Sequence, residues 1–352
     1  QTQLDAKLPL AGGTMTGDLV PATPLSHRNM IINGGMQVWQ RATGATDSNN
    51  GYRTADRYYF GESGDGAYTS QKYDMSVADL NTTGHRTALQ LNCTTADASV
   101  AASHYAYLRY RIEGQDLQQL QYGTANAKTM TLSFWVKSNK TGTYCMIFVA
   151  SHYLPIEYTI SSADTWEKKV ITISPTAGGT SLKTTSGGAI ANDNATGLEI
   201  GFGLKWGSDF HGTNNTWQSS AKYGTSNQVN WMDSTSNNFY LTGVQLELGS
   251  SATPFEHRSY GDELRRCERY YQKVSGNIFM GTTSSNTYFS TNVGFKTEMV
   301  ATPTGSTSGF SGSQGGAIIL EEITTRGCRF TALGANGSVS AYGGVCSFLK
   351  EL

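Results

Sequence analysis

The chain has 352 residues, of which Gly, Ser, Thr and Asn supply close to two fifths and Asp, Glu, Lys and Arg only 15%. That balance excludes helical bundles and coiled coils, which run rich in Ala, Glu, Lys and Leu, while 11% aromatic and 38% hydrophobic residues exclude charged disorder. A net charge of −1 leaves no electrostatic case for a nucleic-acid partner, which needs a basic surplus or stripe to neutralise phosphates.

Residues 1–28 differ from the rest of the chain. Between Pro9 and Pro24 the pairs Gly12-Gly13 and Gly17-Asp18 mark two turns around Thr14-Met15-Thr16. Such a segment is too short to bury a core, so it needs neighbours, either more chain upstream or copies of itself. Gln1 in the place of an initiating Met points to a longer polypeptide.

From residue 29 to 258 the pattern is a succession of period-two strands. Met130, Leu132, Phe134 and Val136 alternate with polar or outward positions. Leu198, Ile200, Phe202, Leu204 and Trp206 repeat the pattern with Gly201 and Gly203 opposite, and Tyr240, Thr242, Val244, Leu246 and Leu248 do so again. Further strands are expected at 89–93, 104–112, 144–149, 153–160 and 166–173. Few helices and loops rich in Gly and Asn then predict an all-β, antiparallel two-sheet sandwich, most simply a jelly roll. One irregular stretch, Gly207 to Asn238, exceeds the ~12–15 residues usual for a structureless loop and carries Trp217, Tyr223 and Trp231.

One helix is expected, within a connecting segment 259–275. Leu264, Cys267, Tyr271 and Val274 fall on one face, with Ser259 or Gly261 as a start signal. The basic run Arg265, Arg266, Arg269 is interleaved with Glu263 and Glu268, as on a solvated helix face. Residues 276–352 return to short strands and form a second, smaller β-domain.

The cysteines Cys93, Cys145, Cys267, Cys328 and Cys346 are odd in number and lack C-x-x-C pairing, which disfavours a zinc site or a disulfide scaffold. Cys328 and Cys346 are close enough to bridge a hairpin, the less favoured reading. No apolar run reaches the ~18 residues of a membrane span, and no basic-then-apolar signal peptide is present, so no membrane insertion is expected. The six histidines are scattered, no H-E-x-x-H or G-x-S-x-G elbow occurs in a fitting context, and no two carboxylates can be paired for glycoside hydrolysis. The expectation is a non-enzyme without catalytic residues, cofactor or metal.

Three stretches carry a resemblance. Leu10 to Leu19, LAGGTMTGDL, resembles the short repeat near the ends of bacteriophage tail fibres and tail-collar fibres, where copies build an intertwined trimeric shaft. Asn29 to Met36, Trp39-Gln40-Arg41 and Tyr52 to Tyr58 resemble the opening of a jelly-roll domain common in phage fibre and virion proteins. Gly243 to Gly249, Ala252 to Glu256 and Glu263 to Tyr271 resemble its last strand and exit helix. Asp56, Arg57 and the neighbouring rings read as a strand end whose ion pair closes the sandwich, and Pro254-Phe255-Glu256 as a stop with an aromatic plug.

The sandwich also resembles jelly-roll carbohydrate-binding modules. In those an Asp of the final strand often holds calcium; here the stretch 239–243 has no acid, which puts calcium in doubt. Such modules recognise sugars through exposed rings, and Trp206, Trp217, Tyr223 and Trp231 are the candidates, with a role as filler of the loop base or of a subunit interface the preferred reading of each ring.

The resemblance implies an extracellular virion protein, a homotrimeric tail fibre. It would bind other virion proteins through its N-terminal segment and present β-domains to a host-surface glycan or protein. Met15, Leu19, Leu264, Cys267 and Tyr271 are the expected oligomer contacts. The alternatives are a structural, adaptor or capsid fibre without receptor recognition, a free carbohydrate-binding module, and a glycan-cleaving tailspike with its site between subunits.

Overall fold

A computed structural model describes residues 27–47, 50–276, 279–283, 287–308, 319–334, 337–341 and 344–352. The turn-rich leader, with Met15 and Leu19, lies outside the described residues.

The chain is all-β, a jelly-roll sandwich followed by a short helix and a smaller set of sheets. The sandwich is built from β1 (Thr46–Asp47), β2 (Gly51–Tyr52), β3 (Tyr58–Ser63), β4 (Ala67–Asp74), β5 (Thr87–Thr95), β6 (Tyr105–Glu113), β7 (Met130–Ser138), β8 (Gly142–Ala150), β9 (His152–Ile160), β10 (Glu167–Ile173), β11 (Thr196–Trp206) and β12 (Asn238–Leu248). They form two six-stranded sheets, in the orders β1-β4-β5-β12-β7-β10 and β2-β3-β6-β11-β8-β9. Every pairing is antiparallel. Leu89, Leu91, Leu132, Phe134 and Leu246 of the first sheet face Leu108, Phe148, Ile200 and Phe202 of the second, all fully buried. Each contributes roughly 1.5–3 kcal/mol by leaving water.

All eight strands expected from alternation are present. β1 to β4 are additional: β1 and β2 have two residues each, and in β3 rings on both faces hide the period, since Tyr58 and Phe60 are buried while Tyr59 is half-exposed. The short helix α1 (Val77–Thr83) is likewise beyond the expectation. Ser76 caps it, accepting from the Asp79 N–H while Asp79 returns a bond to the Ser76 backbone.

The segments that resemble phage virion jelly rolls meet in space. The Asn29 amide donates to the Val244 carbonyl at 3.1 Å, the Asn33 backbone N–H donates to Glu263 at 2.5 Å, and Arg258 donates to the Ile31 carbonyl and pairs with Glu263 at 3.0 Å. These motifs tie the first turn of the domain to its last strand and exit helix. Asp56 and Arg57 do not pair with each other. Asp56 pairs with Arg41 at 3.3 Å, and Arg57 with Glu351. Phe255 packs edge-on to His85, ring centres 4.6 Å apart.

The exit helix α2 (Tyr260–Glu268) starts at Ser259, whose hydroxyl accepts from the Asp262 N–H. It ends earlier than the apolar stripe predicts, because Tyr271 already belongs to a strand. Cys267 is 1% and Tyr271 7% exposed within the single chain, and Tyr271 lies under the Arg41 guanidinium at 3.9 Å. These two proposed oligomer contacts are therefore spent within the chain, and only half-buried Leu264 keeps an open edge.

The C-terminal part comprises β13 (Tyr271–Gly276), β14 (Phe279–Thr283), β15 (Thr287–Gly294), β16 (Thr304–Ser308), β17 (Ile319–Glu321), β18 (Gly327–Gly334), β19 (Gly337–Ala341) and β20 (Gly344–Leu349), arranged as β13-β20-β16, β14-β19 and β15-β18-β17. Its core holds Met299, Cys328, Phe330, Cys346 and Phe348. All five cysteines are buried free thiols, so Cys328 and Cys346 do not bridge.

Candidate functional site

The second sheet carries an aromatic cleft on its outer face. In β6, Ala106, Leu108 and Tyr110 point into the core and are at most 2% exposed, so Tyr105, Tyr107 and Arg109 point out. In β11, Leu198, Ile200 and Phe202 point in, which leaves Glu199 and Gly201 on the outer face beside them. A bulge interrupts the strand beyond them. Gly203 pairs with Tyr107 but Lys205 pairs with Ala106, so one extra residue is absorbed. Lys205 turns inward, and Trp206 comes to lie opposite Tyr105 on the outer face. Strict alternation places Trp206 with the core residues, and the bulge corrects this.

Two glycines make room for the rings. A Cβ on Gly203 would stand 2.2 Å from Trp206 Nε1, and one on Gly61 of β3 would stand 2.4 Å from the Tyr107 ring. Without side chains there, both rings lie close against the sheet. Trp206 is sandwiched between Tyr107, at 5.4 Å and 15°, and Tyr223, at 5.2 Å and 23°. Phe210 meets Trp206 at 5.4 Å and Tyr105 at 5.8 Å.

Phe210 and Tyr223 come from the long loop after β11. Its limbs are laced by Tyr223 N–H to the Phe210 carbonyl, 2.8 Å, and Gly212 N–H to the Gly224 carbonyl, 2.8 Å. Gln218 exchanges two backbone bonds with Tyr153 on edge strand β9, 2.8 and 2.9 Å. The cleft so formed has a volume of about 200 Å³, below the ~300–1,000 Å³ of drug-sized sites and suited to a ligand of one ring.

Its polar end is Arg109 and Glu199. Arg109 lies over the Tyr59 ring at 4.1 Å and reaches Glu199 at 3.4 Å; Arg111 holds the same carboxylate oxygen at 2.8 Å. Burial, partly opposed by Arg109, pushes the Tyr107 hydroxyl up to about 12. Burial and then Tyr153 push Tyr223 higher still. Both hydroxyls are neutral hydrogen-bonding groups at physiological pH.

The four candidate rings divide. Tyr223 is half-exposed on the cleft wall. Trp206 lines the cleft, but at 7% exposure with both faces covered it supports the other rings and cannot itself stack on a sugar. Trp217 and Trp231 are 1% and 0% exposed. Their indole N–H groups donate to the carbonyls of Ser174 and Asn238, 2.9 and 3.0 Å, which makes them anchors of the loop base, so they are withdrawn as sugar-contacting residues. Tyr105, Tyr107, Arg109, Glu199 and Phe210 join the site without having been expected there. The signal for them is the outward phase of β6, Tyr-x-Tyr-x-Arg.

One further cluster could hold a cation. Donor atoms of Asp65, Asp97 and His104 lie within 4.8 Å of one another. Asp97 Oδ2 is already engaged by the fully buried Lys205 ammonium at 2.6 Å and by His104 Nδ1 at 2.9 Å, so a lysine supplies the positive charge there. Among the described residues no helix is long and apolar enough to cross a membrane.

No protein-family model matches the chain, and no curated protein does. Among solved structures, the enzymatically active domain of tailspike protein 4 from bacteriophage CBA120 is similar at 14% identity and a TM-score of 0.32, over 63% of this chain but only 21% of that one. A putative sugar binding protein from Bacteroides thetaiotaomicron is similar at 13% identity and a TM-score of 0.35, over 63% of this chain and 100% of that one. A family 11 carbohydrate-binding module of a Clostridium thermocellum cellulosomal cellulase is similar at 10% identity and a TM-score of 0.29, over 61% and 99%. At such values nothing about this chain's ligand can be drawn from them.

Proposed function

We propose that this protein is a non-catalytic glycan-binding module whose site is the outer-face cleft of Tyr105, Tyr107, Phe210 and Tyr223. The observation that carries this reading is the clustering of partly exposed rings beside a charged hydrogen-bonding pair in a cleft of one-ring size. Aromatic faces contact the C–H groups of a pyranose, while Arg109 donates to and Glu199 accepts from its hydroxyls. Hydrolysis by the common route needs two carboxylates about 5–9.5 Å apart. Among the described residues Glu199 is the only acid lining the cleft, and it is already tied to Arg111, which favours binding over cleavage.

The wider setting rests on the sequence resemblance alone. We place the module in a bacteriophage virion, outside the cell, as a homotrimeric fibre protein. Its leader would join other virion proteins, and weak single-site contacts to a host-surface glycan would gain by avidity.

Screening the full chain against immobilised bacterial and plant oligosaccharides tests the site. Binding should be seen, and Tyr107→Ala and Tyr223→Ala should each weaken it about tenfold, the ~1.4 kcal/mol of one good ring contact. Trp217→Ala would instead lower stability. Binding unchanged in both tyrosine variants refutes the cleft. A native mass near 38.0 kDa at micromolar concentration refutes the trimer.

A further inference from the structure

We infer that the sugar held in this cleft is acidic, a glycan residue bearing a carboxylate such as a hexuronate, and that Arg109 is its specificity-determining partner. The inference rests on the glycan reading of the cleft. Two guanidinium groups, Arg109 and Arg111, share the single carboxylate of Glu199, and the sharing is uneven. Arg111 Nε takes the oxygen at 2.8 Å, whereas Arg109 reaches it only at 3.4 Å. Arg111 is outside the cleft lining and Arg109 is part of it, so the under-compensated charge is the one facing the ligand.

Arg109 is also short of acceptors. Its Nε is buried without a hydrogen-bond partner, and its side chain is 17% exposed. The ring of Tyr59 at 4.1 Å and that of Tyr107 at 5.4 Å fix the plane of the guanidinium without supplying an anion. A planar fork held this way matches a planar carboxylate in two parallel bonds, more closely than it matches a hydroxyl or a tetrahedral anion. Among rings, that charge is shielded from water and worth more than on an open surface.

The test compares a hexuronate trisaccharide, its methyl ester and a sulfated trisaccharide for binding to the full chain, followed by Trp fluorescence. The free acid should bind about tenfold more tightly than the ester, and the advantage should shrink as salt rises. Arg109→Gln should weaken binding of the acid about tenfold more than binding of the ester, so that the difference between them disappears; Arg109→Lys, which keeps charge but not the fork, should retain part of it. Equal binding of acid and ester, an acid preference that survives in Arg109→Gln, or tighter binding of the sulfated sugar overturns the inference and leaves the glycan site standing. No binding of any of the three overturns the inference, and binding indifferent to Tyr107→Ala overturns the inference and the glycan reading of the cleft together.

Discussion

At the scale of single residues, Lys183 shows how a charge can be buried without an acid. It is fully buried, donates to the Ala150 carbonyl and to Ser151, and lies 4.9 Å over the Trp217 ring. Burial lowers its pKa from 10.5 to about 8, so the folded chain binds this proton less tightly than the unfolded chain does. The stability cost is present in full below pH 8 and is relieved as pH rises towards 10.5. Lys183→Met removes this titration. Urea midpoints of the two proteins compared between pH 8 and 10.5 should show the native protein gaining on the variant as pH rises; parallel curves would refute the assignment. Trp206 makes a related point, since its environment turns on the extra residue in β11 and the missing side chain of Gly203.

At the scale of elements, the long loop and the exit helix serve different ends. Residues 207–238 stand out by their length and rings, and they do supply Phe210 and Tyr223 to the cleft. Their tryptophans instead pin the loop to the sandwich. The exit of α2 is fixed by Glu113 at the end of β6, whose carboxylate accepts from Arg269 at 2.7 and 2.8 Å and from the Tyr270 hydroxyl. Burial opposes ionisation there, but these hydrogen bonds outweigh it and hold the carboxyl below its ordinary 4.5. The stabilisation is therefore complete above pH 4.5 and is lost as pH falls through the folded-state value. Glu113→Gln should cost about 1–3 kcal/mol at neutral pH, the range for a charged hydrogen bond left unmade. In denaturant titrations the difference from the native chain should narrow below pH 4.5.

At the scale of the whole molecule, the C-terminal sheets are clamped to the sandwich by buried charge. Glu351 bridges Arg41 at 2.8 Å and Arg57, and the side chains of Glu351 and Arg57 are 4% and 1% exposed. The Arg57 guanidinium also lies 3.3 Å over the Tyr270 ring. Removing one partner of such a pair strands the other, at a cost of about 3–5 kcal/mol. Glu351→Gln should lower the unfolding midpoint and make the junction near α2 the first site of limited proteolysis. A variant as stable and as resistant as the native chain would show that the clamp is dispensable.

Alternation and turn chemistry are enough to read the all-β class and eight of the sandwich strands, because both are local: side chains alternate along a pleated strand, and Gly and Asn close its turns whatever lies across the sheet. The same residues cannot show which rings are open. Tyr105 and Glu199 are far apart in the chain and meet only through the β6–β11 register, Tyr223 joins them only through the bonds that lace its loop, and the bulge that turns Trp206 outward is visible only against its partner strand. Exposure of Trp217 and Trp231 is likewise undecidable from their place in a loop, since burial depends on what packs against them. Composition and periodicity thus settle the class of the protein, while the cleft, its charge imbalance and the clamp on the C-terminal sheets exist only where distant segments come within a few ångströms.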